Sequence, residues 1–256
     1  IFGVSMEAVI YGYLSASLIT LGVFLTFIKR EGQEDDTKGI EESEGLNKKI
    51  WFYALPLIPL AIIGWISGLG DRYVIGGLLG LEQAGIYAAV YGLVSRPFLL
   101  LSKVVELTLR PVYQIAVSSN NHARAKKALT AWLLMMCAAS TIGFILILLL
   151  HEQIAFLFLG ERYRTGDVLM PWIAGGYGLL IVSYVFEKVC YAYEKTKYVL
   201  IIQMCGAALT LLLTVVAVQH WGLFGAAVAV PVYFGLQLIV AMVMAGLVEK
   251  RVFIES

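Results

Sequence analysis

From Ala128 to Leu150 this chain runs for 23 residues without a single charged side chain. A bilayer core is spanned by about 20 apolar residues as helix or about 10 as strand. The stretch does not alternate in polarity, so it reads as a helix. Six more segments of similar character accompany it. They run from Ile1 to Ile28, Ile50 to Leu79, Gln83 to Val117, Asp167 to Tyr193, Tyr198 to Val218 and Leu223 to Val248. The expected fold is therefore all-α and integral to a membrane, with seven transmembrane helices. The Gln83–Val117 segment is too long for a flat crossing and should tilt or protrude.

Composition agrees. Of 256 residues, 60% are hydrophobic and 14% charged, against about 25% charged in soluble domains. Mean hydropathy is +0.82. That leaves too little charge to coat a water-facing surface, and it excludes disorder, collagen, coiled coil and disulfide scaffolds. A net charge of +1 offers no global attraction for nucleic acid. Cys137, Cys190 and Cys205 lie inside apolar segments without CxxC spacing and read as packing residues.

Lys and Arg placement orients the spans. Twelve fall in one set of connections: Lys29, Arg30, Lys38, Lys48, Lys49, Arg124, Lys126, Lys127, Lys195, Lys197, Lys250 and Arg251. Only Arg162 and Arg164 fall in the other. The 29–50 linker and the C-terminus are thus expected in the cytoplasm and the N-terminus outside. A chain that starts at Ile1 outside, without an initiator Met, reads as one preceded by further spans. The linker carries seven acidic residues between basic ends and reads as a solvated connector between two bundles.

Charge inside the apolar segments carries the functional signal. Each intramembrane ionisable group costs about 2.5–3.5 kcal/mol or more on insertion scales, so it needs a partner or water. On the third segment Arg96, Lys103, Glu106 and Arg110 recur at i, i+7, i+10 and i+14. At about 100° per residue they share an arc of roughly 80°. Gly85, Ala89 and Gly92 extend that face. Such a stripe should face a wet cavity. Glu106 and Arg110 can pair, which leaves Arg96 and Lys103 less compensated and suited to an anionic ligand. The plainer reading of Lys103 and Arg110 is snorkelling to the interface; Arg96, about twelve residues below the outer turn, is too deep for that.

Other segments add candidates. Asp71 and Arg72 are adjacent on the second, so they point about 100° apart and need not pair. Gly64, Gly68, Arg72 and Gly76 recur every four residues, a spacing that permits close helix contact. Glu7, Tyr11 and Ser15 share a face of the first. Tyr177, Tyr184 and Tyr191 recur every seven residues on the fifth, with Glu187 beside the last two. Gln203, Thr210 and Thr214 share a face of the sixth. Tyrosine stripes are commonly packing or interfacial belts, but Tyr184, Tyr191, Gln203 and Thr210 are the residues to line a sugar path. Lys188 is ambiguous, because it can snorkel. His122, His151 and His220 are far apart, and no HExxH, Walker A or GxSxG pattern occurs. No cofactor and no metal site is expected.

One stretch is recognisable. GDRYVIGGLLGLEQAGIYAAVYGL, Gly70 to Leu93, resembles polysaccharide flippases of the Wzx type, in the superfamily of multidrug, oligosaccharidyl-lipid and polysaccharide exporters. There an Asp-Arg pair near the outer end of one helix precedes a Leu-Gly turn. A Gly-x-Tyr opens the next helix, as Gly85–Tyr87 does, and that helix often ends near a proline, here Pro111. HWGLFGAAVAV, His220 to Val230, echoes LGLEQAGIYAAV, Leu79 to Val90, as a weak internal repeat. The resemblance implies twelve helices in two six-helix lobes. Residues 1–28 would be the last helix of the first lobe, 29–50 the inter-lobe linker and 51–256 the second lobe.

It further implies a transporter rather than an enzyme. Such a transporter flips a polyprenyl-diphosphate-linked oligosaccharide across the cytoplasmic (inner) membrane by alternating access, alongside other polysaccharide-assembly membrane proteins. Arg72, Arg96, Lys103 and Arg110 would receive the anionic head. Glu7, Asp71, Glu106 or Glu187 would carry a coupling H+ or Na+. Two rivals are a drug antiporter of the same superfamily and a membrane glycan polymerase or ligase. The longest outer loop, His151 to Gly166, argues against the latter because it is short. A seven-helix receptor fits the helix count but lacks a mid-membrane lysine in its last segment.

Overall fold

The computed structural model describes the backbone of residues 6–31 and 57–255, and the side chains of 11–12, 14–26, 59 and 62–250. The described residues are almost wholly helical and contain no strand. The chain divides into two compact units, Ile1–Trp51 and Phe52–Ser256. The first contains α1 (Met6–Glu31), whose hydroxyls bond back onto their own helix, as Thr20 does to the Ala16 carbonyl at 2.8 Å. The linker beyond Glu31 lies outside the described residues.

The second unit is a bundle of helices that reverse direction at tight turns. α2 (Leu57–Leu79) and α3 (Leu81–Ser118) meet at Gly80, whose φ of 93° suits glycine alone. A Cβ on Gly76 would rest 3.7 Å from the Ala84 Cβ, so the two helices return side by side. α4 (His122–Phe158) follows, its first turn capped by Asn121, which accepts the Arg124 backbone N–H at 3.0 Å. A 3-10 helix (Glu161–Leu169) leads into α5 (Met170–Ala192), which has Pro171 at its start. α6 (Thr196–Glu255) is broken at Gly222, with φ 58° and ψ −143°. Its 60 residues would span about 90 Å if straight. Instead the arms 196–221 and 223–255 fold back on one another: Gly225 abuts the Ala217 carbonyl, and Gly206 abuts the Gln237 side chain. Gly80 and Gly222 occupy the two hairpins whose sequences echo each other.

Among the described residues four helical stretches are long and apolar enough to cross a membrane: Leu81–Ser118, His122–Phe158, Glu161–Ala192 and Thr196–Lys250. This points to an integral membrane protein. α3 and α4, with 38 and 37 residues, are each about 55 Å long, well beyond a hydrocarbon core of about 30 Å. The outward face is apolar: Leu134, Ile142, Leu149 and Phe156 on α4 are all more than half exposed. The core is aromatic. Tyr87, Tyr91, Tyr177, Phe234 and Tyr233 form a chain of ring contacts at 4.5–5.5 Å that ties α3, α5 and the second arm of α6 together.

Two expectations are corrected. α3 does not end near Pro111. Both Pro97 and Pro111 lie inside it, and the helix continues to Ser118. Proline removes one helical donor and kinks rather than stops a helix whose neighbours hold it. Nor is His151–Gly166 a loop, because α4 reaches Phe158 and the 3-10 helix begins at Glu161. Its charges brace the end of the bundle. Arg164 donates to the carbonyls of Leu159 and Phe156, both at 3.2 Å, where α4 leaves acceptors unused. Arg162 pairs with Glu82 at 3.0 Å.

Candidate functional site

α2, α3 and α5 enclose an open cavity of about 1230 Å³. Its wall is largely apolar, from Trp65, Leu69, Leu93, Pro97, Leu99 and Leu100. Into it point four cations and two carboxylates: Arg72, Arg96, Lys103 and Lys188 with Glu106 and Glu187. Of the α3 stripe, Arg96, Lys103 and Glu106 line this cavity and Arg110 does not.

The Asp71–Arg72 pair divides its work. Asp71 points into the core and is fully buried. Its carboxylate accepts the Tyr87 hydroxyl at 2.9 Å and the Arg72 backbone N–H at 2.8 Å. Arg72, turned by one helical step, reaches the cavity. Its guanidinium lies 5.1 Å from the centre of the Tyr91 ring, a cation–π contact that holds it without neutralising it. Arg72 and Arg96 have no ion-pair partner among the described residues.

The other cations are partly neutralised. Glu106, largely buried, receives Lys188 at 3.0 Å, Arg110 at 3.2 Å and Lys103 at 3.3 Å. The expected Glu106–Arg110 pair is present. Lys103 is less free than its spacing implied, because it shares the same carboxylate. Three cations on one carboxylate still leave a local surplus of positive charge.

The sugar-path candidates do not form one surface. Tyr184 lines the cavity together with Tyr177. Tyr191 lies beyond it, under the Lys188 ammonium at 5.3 Å. Gln203 is one shell behind, donating to Glu187 Oε1 at 2.8 Å. Thr210 is fully buried and donates to the Gly206 carbonyl at 2.9 Å. The reason is layering: the first arm of α6 packs behind α5. Arg110 and Asp71 also stand off the cavity. Tyr11 and Ser15 belong to the first unit, and the Glu7 side chain lies outside the described residues. Lys188 is the cavity residue that sequence reasoning undervalued. Its signal was present, since Tyr177, Tyr184 and Lys188 at i, i+7 and i+11 share one face of a helix.

None of the three histidines lines the cavity. Among the described residues no cluster of His, Cys, Asp and Glu could hold a metal. The arrangement can bind: it offers charge to an anion and an apolar wall to its attached chain. No family model, curated protein or solved structure matches this chain.

Proposed function

We propose that this chain is part of a Wzx-type flippase that moves a polyprenyl-diphosphate-linked oligosaccharide across the cytoplasmic membrane for surface polysaccharide assembly. The observation that carries the reading is the placing of two guanidinium groups without an ion-pair partner among the described residues, Arg72 and Arg96, on an apolar-walled open cavity. An amphiphile with an anionic head needs both. Cations recognise phosphate oxygens through charge-assisted hydrogen bonds, and tails stay in contact with lipid. Tyr177 and Tyr184 offer ring faces and hydroxyls to the first sugars.

In this reading the helical segments, with the two arms of α6 counted separately, are seven spans. The last six form a second lobe that rocks against a first lobe. The 29–50 linker and the C-terminus are cytoplasmic, the coupling ion is H+ or Na+, and other polysaccharide-assembly proteins are the partners. The chain is a transporter, not an enzyme. A drug antiporter of the same superfamily fits less well, because four cations against two carboxylates repel cationic cargo. A glycan polymerase or ligase fits less well because the expected outer loop is taken up by helix.

Arg96→Ala in the full-length protein tests this. Surface polysaccharide display in a host that depends on the protein should be lost while its level in the membrane is unchanged. Normal display at normal expression would remove Arg96 from the site.

A further inference from the structure

Asp71 and Arg72 begin a closed circuit of contacts between α2 and α3. The Asp71 carboxylate accepts the Tyr87 hydroxyl at 2.9 Å and the Arg72 backbone N–H at 2.8 Å. The Tyr87 ring stands 5.3 Å from the Tyr91 ring, one helical turn further along α3. The Tyr91 ring in turn lies under the Arg72 guanidinium, whose carbon is 5.1 Å from the ring centre. Arg72 is the next residue after Asp71, which closes the circuit. A third ring, Tyr177 on α5, meets Tyr91 in a T-shaped contact at 5.3 Å, so two neighbouring rings brace Tyr91. Asp71, Tyr87 and Tyr91 are all buried.

Arg72 is the member of the circuit that reaches the cavity with a charge. Its Nε is buried without a hydrogen-bond partner among the described residues. A free arginine loses much rotamer freedom when it grips an anion, whereas one already held against a ring has lost it beforehand. The ring also holds the charge without cancelling it. A carboxylate in the same place would fix the side chain and neutralise it. A ring face takes up none of the five N–H donors of a guanidinium, so the fork stays available to two oxygens of one phosphate. The Tyr91 hydroxyl adds nothing to this. It stands near those of Tyr177 and Tyr233 without completing a hydrogen bond to either.

We propose that Tyr91 is a positioning residue, anchored by Tyr87 and Asp71, whose ring sets Arg72 in advance for the diphosphate of the ligand. The role rests on the reading of the cavity as an anion site, and it adds the buried groups from which that site draws its affinity. Those groups touch no ligand themselves. They act through Arg72 alone, so their effect on binding should vanish when Arg72 is removed.

The test is a double-mutant cycle on the purified full-length protein, with farnesyl diphosphate as the probe and Kd read by calorimetry. Arg72→Ala should weaken binding about tenfold or more. Tyr91→Leu should weaken it about two- to thirtyfold, and Tyr91→Phe, which keeps the ring, should restore it to within about twofold of wild type. In the Arg72→Ala background Tyr91→Leu should have no further effect, whereas a general loss of packing would add to the first loss. Should Tyr91→Leu not fold, Tyr87→Phe carries the same cycle. It cuts the bond to Asp71, keeps both rings and should weaken binding about two- to tenfold, again only while Arg72 is present. A loss in Arg72→Ala with none in whichever of Tyr91→Leu and Tyr87→Phe folds overturns the proposal and leaves the anion site standing. Equal losses in Tyr91→Phe and Tyr91→Leu, or losses that add to that of Arg72→Ala, overturn it as well. No binding by wild type, or no loss in Arg72→Ala, removes both the proposal and the anion site.

Discussion

α4 and α5 are neighbours, yet they invert the rule of water-soluble proteins. In the most apolar window of α4 only 6% of residues are buried, against 61% in the window that belongs to α5. α4 is the more apolar of the two and faces outward. α5 carries Ser183, Tyr184, Glu187 and Lys188 and is enclosed. In water the apolar helix would be the buried one. In lipid, side chains that need hydrogen bonds or counter-charges must find them inside. Between these two helices, the one that carries the polar groups is enclosed and the more apolar one faces outward.

Four substitutions can break or sharpen that contrast. The largest effect is expected at the bulkiest side chain by which α4 reaches the core. Trp132 is 1% exposed, and Trp132→Ala should cost about 3–5 kcal/mol, read as a fall in Tm of the purified protein. Ile142, near the middle of α4, is more than half exposed. Ile142→Arg should cost about 2.5–3.5 kcal/mol in membrane insertion, read as the inserted fraction in a translocation assay; full insertion would mean that this face is wet. Gly176 on α5 abuts Val230, where a Cβ would sit 2.5 Å from a side-chain methyl and 2.8 Å from backbone. Gly176→Ala should therefore cost about 1–3 kcal/mol in thermal unfolding, and a gain in stability would refute the close approach. Leu149, 69% exposed on α4, is the control: Leu149→Ala should change stability by less than about 0.5 kcal/mol.

Much of this architecture was legible beforehand. The helices followed from long apolar runs, and Arg96, Lys103 and Glu106, which fall within one arc, line the same cavity. The divided roles of Asp71 and Arg72 followed from their 100° separation. Three features were not legible, for physical reasons. The resemblance ends α3 near Pro111 while the apolar run reads on to Val117, and tertiary neighbours decide between the two. Spacing places Gln203 and Thr210 on a face but does not say which helix stands between that face and the cavity. The sharing of Glu106 by Lys103, Arg110 and Lys188 needs a helix 80 residues away along the chain to arrive alongside, and no local pattern contains that. The Gly80 and Gly222 hairpins lie between these cases. Their sequences matched, and the left-handed backbone they share is the cause.

The central claim is that Arg96 stands in water inside the membrane region while the outer face of α4 stands in lipid. Cys137, exposed on α4, supplies a natural lipid-side reporter, and Arg96→Cys supplies the cavity-side one. Each is assayed in full-length protein whose other cysteines are replaced, in membranes treated with a small, charged thiol reagent. The account predicts rapid labelling at position 96 and little at Cys137. Equal rates at both positions, or protection at 96 alone, would contradict it.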